Sequence, residues 1–170
     1  IWPEGILPDI SKDQLKEYKF LFENEFNENH ILAIGINEIK KKGQIVKYFN
    51  SFTIYDNNLE ILNSYNKVNL VPFGEFLPFE KLLSHTGLKT ITNNYQSYSR
   101  GEKRDVIELN KINCSVRILP LICYEIIYTG NIFNDIEFDF IINISEDGWF
   151  GQSIGPHQHF VHSIYRAIES

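Results

Sequence analysis

The order of apolar and polar positions marks out most of the regular structure. Ser11 with Gln14 three residues later has the form of a capping box, and Leu15, Tyr18, Phe22 and Phe26 then recur at helical spacing. This predicts a helix over residues 12–27. Residues 31–37 form a mostly apolar run of strand length, 46–55 are rich in aromatic and β-branched residues, and 59–65 end two positions before Lys67. Turn residues at 40–43 and 56–58 separate these runs, so three paired strands are expected. From 72 to 98, Pro72, Gly74, Pro78 and Gly87 break up short apolar clusters, which predicts a long functional loop region with short helices. Strand patterns return at 106–109, 115–122 and 138–144. A final helix over 156–169 places Phe160, Val161, Ile164, Ala167 and Ile168 on one side. Strands alternating with helices, without a repeat or a linker, predict one mixed α/β domain.

With 43% hydrophobic residues, 13 Phe and 9 Tyr among 170, the chain can fill one packed core. A net charge of −6 argues against a nucleic-acid surface, because phosphate binding needs clustered Lys and Arg without an acidic surplus. The basic run Lys40 to Lys42 before Gly43 reads as a solvated hairpin tip. No stretch reaches the roughly 18 to 20 apolar residues that cross a bilayer, and no signal-peptide pattern opens the chain. The first residue is Ile1 and there is no Met, so the sequence is expected to be a piece of a longer protein. Cys114 and Cys123 are too far apart along an extended segment for a disulfide and are expected to be free thiols on opposite faces of a strand.

Cys123 follows Leu121 and Ile122 where a buried strand gives way to a turn, the end of a sheet at which open α/β folds place their ligands. The same surroundings suit a small buried thiol without chemistry. Lys67 closes a strand pattern before the apolar run Leu70, Val71, Pro72 and Phe73, and Glu4 opens the chain in Trp2-Pro3-Glu4. Singly, each also reads as an ordinary strand-end charge. His157, His159 and His162 crowd one helix, but no Cys or second His cluster completes a ligand set. No metal is expected, and His159 reads as a packed or capping side chain.

In combination these segments are specific. Trp2-Pro3-Glu4, Tyr65-Asn66-Lys67-Val68-Asn69-Leu70-Val71-Pro72-Phe73-Gly74-Glu75 and Ile122-Cys123-Tyr124-Glu125 stand in the order and spacing of the nitrilase, or carbon-nitrogen hydrolase, superfamily. The Pro-Phe-Gly-Glu run narrows the resemblance to the apolipoprotein N-acyltransferases, as do Trp149-Phe150-Gly151, the run Gly155, Pro156, Gln158, His159, and Arg166-Ala167-Ile168-Glu169. The resemblance implies an α-β-β-α sandwich, here incomplete at both ends, and a triad of Glu4 as general base, Lys67 as oxyanion stabiliser and Cys123 as nucleophile, with no cofactor. It also implies supporting roles for Glu75, Tyr124 and Glu125, and lipid or substrate contact through Phe76, Phe79 and Trp149. The apolar arm of Phe76, Leu77, Phe79, Leu82 and Leu83 suits either core packing or membrane contact.

The implied activity moves an acyl chain from a phospholipid through a Cys123 thioester to the amino terminus of a diacylglyceryl-cysteine apolipoprotein. In a full-length protein this implies an inner-membrane location with the catalytic domain facing the periplasm. Two other readings remain open, a soluble amidase using water as acceptor and an inactive truncated product. One departure from the family is Ser145-Glu146-Asp147, where Asn is usual at the position of Glu146. A longer carboxylate there is expected to alter the loop.

Overall fold

A computed structural model describes residues 1–78, 97–111, 114–128 and 137–170. Phe79, Leu82 and Leu83 of the apolar arm, and most of the long loop region, fall outside these residues. Strands β1 (Leu32–Lys42), β2 (Ile45–Tyr55) and β3 (Ile61–Asn66) form an antiparallel sheet in that order. Lys42 pairs with Ile45 across a two-residue turn, where Gly43 has φ +62°. Such turns need a positive φ, which glycine adopts without a Cβ clash. Lys40 to Lys42 therefore belong to β1 itself, and the hairpin tip is Gly43 and Gln44.

The second sheet contains β4 (Ile107–Lys111), β5 (Cys114–Ile122) and β6 (Phe140–Ile144), with β4 antiparallel and β6 parallel to β5. Alternation along the strands gives each sheet an inner apolar face. Ala33, Phe52, Ile54 and Tyr65 from the first sheet meet Ile107, Ile118, Ile122 and Ile144 from the second in one core. On the outer face of the first sheet, Ile34, Ile36 and Tyr55 pack against Leu15 and Phe22. The outer face of the second sheet packs Leu119 and Leu121 against Ile126. The result is a two-sheet sandwich with helical segments outside, as the α/β reading predicts.

Two elements differ from their sequence patterns. Residues 12–27 contain a 3-10 helix, Leu15–Leu21, instead of a long α-helix. Gln14 does reach back, accepting from the Ser11 amide and hydroxyl at 3.0 and 2.8 Å. Beyond it, however, only Leu15 and Phe22 are buried, while Phe20 and Leu21 face solvent. Helix length in proteins follows the packing a face obtains, and two anchor points sustain only two turns. The final helix, α1 (Gly155–Glu169), keeps its predicted extent but presents its apolar side outward. Phe160 and Ile168 are 66% and 74% exposed, whereas the polar His159 and Arg166 are buried. His159 has partners in other elements, Asp147 and the Cys123 carbonyl, so its hydrogen bonding helps set the helix's orientation, whereas Arg166 pairs with Glu169 on its own helix.

Phe52 is fully buried at the junction of the sheets. Phe52→Ala should lower unfolding stability by about 3–5 kcal/mol, read as a drop in the urea midpoint at unchanged slope.

Candidate active site

Lys67 is positioned by the end of the β2–β3 ladder. Its amide donates to the Asn50 carbonyl and its carbonyl accepts from the Gly101 amide, both at 2.9 Å. The side chain is 1% exposed. Its Nζ lies 3.0 Å from Glu75 Oε2 and 3.4 Å from Glu4 Oε1. Burial alone works against the charged form, but Glu4, Glu75 and the Cys123 side chain outweigh it and raise the lysine's pKa. Lys67 therefore stays an ammonium at neutral pH.

Glu4 reaches this cluster because the segment before it joins the first sheet. Trp2 bridges Ile34 in parallel, and the Trp2 amide donates to the Ala33 carbonyl at 2.8 Å. Gly35 makes that approach possible, since a Cβ there would stand 2.4 Å from the Pro3 carbonyl oxygen and 2.5 Å from Glu4 Cα. The Glu4 carboxylate is fixed from several sides. Oε1 accepts from Asn50 Nδ2 at 2.6 Å and from Lys67, and Oε2 accepts from the Glu146 amide at 3.2 Å. The second hydrogen of the same Asn50 amide goes to Glu75 Oε1 at 2.8 Å, while Glu75 Oε2 accepts from the Val71 amide at 2.9 Å. One neutral side chain on β2 thus holds two carboxylates around one cation.

Cys123 begins the 3-10 helix Cys123–Ile127 that follows β5, with φ +52°. A residue with a Cβ pays roughly 1–2 kcal/mol in that region, so the sharp elbow is held by its surroundings. Burial pushes the thiol up to about 11, the Glu4 carboxylate adds to this, and Lys67 and a contact with Ser145 oppose it. The thiol is neutral at physiological pH, and hydrogen bonding links it to Glu4.

The remaining sequence-predicted residues divide. Glu75 sits on Lys67 as a second carboxylate. Glu125 makes no contact with Lys67 and instead serves the backbone. Its fully buried carboxylate accepts from the amides of Val68, Asn69 and Ile122 at 2.9 to 3.0 Å, from the Tyr65 hydroxyl at 2.8 Å and from Arg104 Nη2 at 2.8 Å. Tyr124 is part-exposed beside Tyr128, Phe76 is partly buried, and Trp149 is 83% exposed. Phe79 lies outside the described residues. Glu146 keeps its carboxylate out of the cluster by accepting from the Gly148 amide at 2.8 Å, capping the short 3-10 helix Asp147–Phe150. Asn50 and Ser145 were not marked by the sequence reading. The available signal was an Asn on the same face of β2 as the core residues Phe52 and Ile54.

On this fold, a cysteine at a strand end faces a buried lysine and two carboxylates, and the chain belongs to the carbon-nitrogen hydrolase family. Residues 2–170 match the family model described as Carbon-nitrogen hydrolase. Among curated proteins it is similar to the apolipoprotein N-acyltransferase of Rhizobium leguminosarum bv. trifolii (strain WSM2304), 35% identical over 173 residues, covering 100% of this chain and 32% of that protein. It is also similar to the apolipoprotein N-acyltransferase of Rhizobium rhizogenes (strain K84), 32% identical over 172 residues, covering 99% of this chain and 32% of that protein. The chain therefore spans about a third of the length of these relatives. The fold resembles the crystal structure of a carbon-nitrogen hydrolase from Helicobacter pylori G27, with a TM-score of 0.52, 16% identity, and coverage of 89% of this chain and 46% of that one.

Because the raised thiol pKa favours the protonated form in the folded state, its stabilisation is complete below the unfolded value of about 8.5 and is lost as pH climbs toward 11. Cys123→Ser should therefore flatten the fall in stability across that window. Glu4→Gln, which removes the neighbouring anion, should move the thiol's titration to lower pH, as read by thiolate ultraviolet absorbance.

Proposed function

We propose that this chain is the catalytic part of an acyltransferase that passes a fatty acyl group from a phospholipid to the amino terminus of a lipoprotein. The observation that carries the reading is the fully buried Lys67 ammonium held between Glu4 and Glu75 beside Cys123, in a chain similar along its whole length to apolipoprotein N-acyltransferases. The chemistry divides into two displacements.

In the first, Sγ of Cys123 attacks the ester carbonyl of the lipid. A neutral thiol is a poor nucleophile, so its proton must leave as the carbon–sulfur bond forms, and the Glu4 carboxylate is the acceptor. The oxyanion that develops faces Lys67 and the Tyr124 amide. Both donors are preorganised in a site from which burial excludes most water. Collapse breaks the ester bond, and the departing lysophospholipid oxygen takes the proton back from Glu4. In the second displacement an acceptor amine attacks the thioester, Glu4 removes the amine's proton, and the sulfur leaves and is reprotonated. Glu75 and Asn50 are positioning residues here, since they touch Lys67 and Glu4.

Among the described residues no helix is long and apolar enough to cross a membrane. Lipid contact in the full-length protein is assigned to Phe76, Phe79 and Trp149, of which Trp149 stands in solvent. The same proposal places the full-length protein in a bacterial inner membrane with this domain in the periplasm.

Incubating full-length protein with acyl-labelled phospholipid should give a hydroxylamine-sensitive adduct that Cys123→Ala abolishes. Lys67→Ala should slow its formation by about 10²- to 10³-fold, the loss typical of one oxyanion donor. Turnover of small amides without any lipid adduct would reject acyl transfer in favour of hydrolysis.

A further inference from the structure

His159 lies where α1 meets the nucleophile's turn, and its ring is almost wholly buried. Nδ1 is 2.8 Å from Asp147 Oδ1, and Nε2 is 3.0 Å from the backbone carbonyl of Cys123. A carbonyl oxygen only accepts, and so does an ionised carboxylate. Asp147 Oδ1 also takes the Ser145 hydroxyl at 2.6 Å, as a carboxylate oxygen does. A neutral imidazole has one N–H and can satisfy only one of its two partners. The arrangement calls for a proton on each ring nitrogen, compensated by the Asp147 charge.

The carbonyl that His159 holds belongs to the strained residue, Cys123 at φ +52°. The Cys123–Tyr124 peptide is planar and trans, so its carbonyl and its N–H point in opposite directions. Fixing the oxygen toward α1 fixes the Tyr124 N–H on the other side. We propose that His159, as an imidazolium paired with Asp147, is a positioning residue that sets this peptide so that the Tyr124 N–H meets the oxyanion. The inference rests on the nucleophilic role proposed for Cys123. It explains why α1 turns a histidine inward and leaves Phe160 and Ile164 in solvent.

Among the described residues few titratable or charged groups surround this ring, and Ile1 at the start of the sequence lines the same cavity. Asp147 faces it from the 3-10 helix Asp147–Phe150 and the Cys123 thiol adjoins its carbonyl contact. Glu146 and Glu4 lie one hydrogen bond further on, and His162 and Arg166 share its helix, Arg166 being paired with Glu169. Of these, Asp147 alone is bonded to the ring. Loss of the His159 proton therefore costs one of two contacts and loosens the elbow.

The test uses full-length protein and p-nitrophenyl butyrate, a small activated ester that needs neither phospholipid nor lipoprotein. His159→Phe should slow the single-turnover burst by about tenfold to a hundredfold, less than outright deletion of an oxyanion donor. Iodoacetamide labelling of Cys123 should stay near wild type, while the thermal midpoint should fall by the few degrees that losing a buried hydrogen bond costs. His159→Gln can still donate to the Cys123 carbonyl but carries no charge, so it should recover roughly tenfold over His159→Phe. Nitrogen-15 histidine NMR, assigned by difference with His159→Gln, should show both ring nitrogens protonated at neutral pH. A single protonated nitrogen, a wild-type burst in His159→Phe, or a parallel loss of burst, labelling and thermal midpoint in both variants would overturn the proposal. Absence of lipid transfer with this ester pattern intact would remove the phospholipid reading and leave the positioning role standing.

Discussion

A buried ammonium cannot stand alone, and the structure around Lys67 is organised by that constraint. Desolvation of an unpaired charge costs several kcal/mol or more, so the 1% exposed lysine needs carboxylates within contact distance. Supplying two of them draws three separate parts of the chain together. Glu4 arrives on a segment bridged to β1, Glu75 on the turn after Pro72, and Lys67 at the end of β3. Two carboxylates close together would repel, and the Asn50 amide answers this by donating one hydrogen to each. Burial first, and then the Glu4 carboxylate, raise the adjacent thiol's pKa and keep it protonated.

The protonation state governs how the site can work. A pre-formed thiolate and ammonium pair would need the thiol's pKa lowered, whereas here burial and Glu4 push it up to about 11. Proton removal must then accompany attack, which gives Glu4 a role in the reacting step and not merely in orientation. Three donors, from Asn50, Lys67 and the Glu146 amide, hold the Glu4 carboxylate in place for it.

How much of this could be read from sequence depends on the kind of signal each residue carries. Strands β1 to β3 were legible because alternation and turn residues are local, although the hairpin tip moved to Gly43 and Gln44 because only glycine there takes φ +62° at no cost. The 12–27 helix was overestimated because helical spacing does not report how much of a face is buried, and past Phe22 only Phe26 packs, partly buried, against the core. The outward turn of α1 was missed for the opposite reason. Phe160, Ile164 and Ile168 made a clear apolar stripe, yet the two contacts of His159 decide which side faces in. Glu4, Lys67 and Cys123 lie 63 and 56 positions apart in sequence order, and only motif order suggested that they converge. Asn50 lay within a strand pattern and carried no motif.

The Glu125 carboxylate makes two distant stretches of polypeptide mutually dependent. It gathers the amides of Val68 and Asn69 from just after β3 and that of Ile122 from the end of β5, with Tyr65 and Arg104 completing its shell. Neither stretch can satisfy these groups without the other, and closing a loop of more than fifty residues is entropically slow. The lysine's strand and the cysteine's elbow are therefore each incomplete until the other is in place. Opening either segment strands buried amides or the buried carboxylate of the other, which couples the two active-site segments.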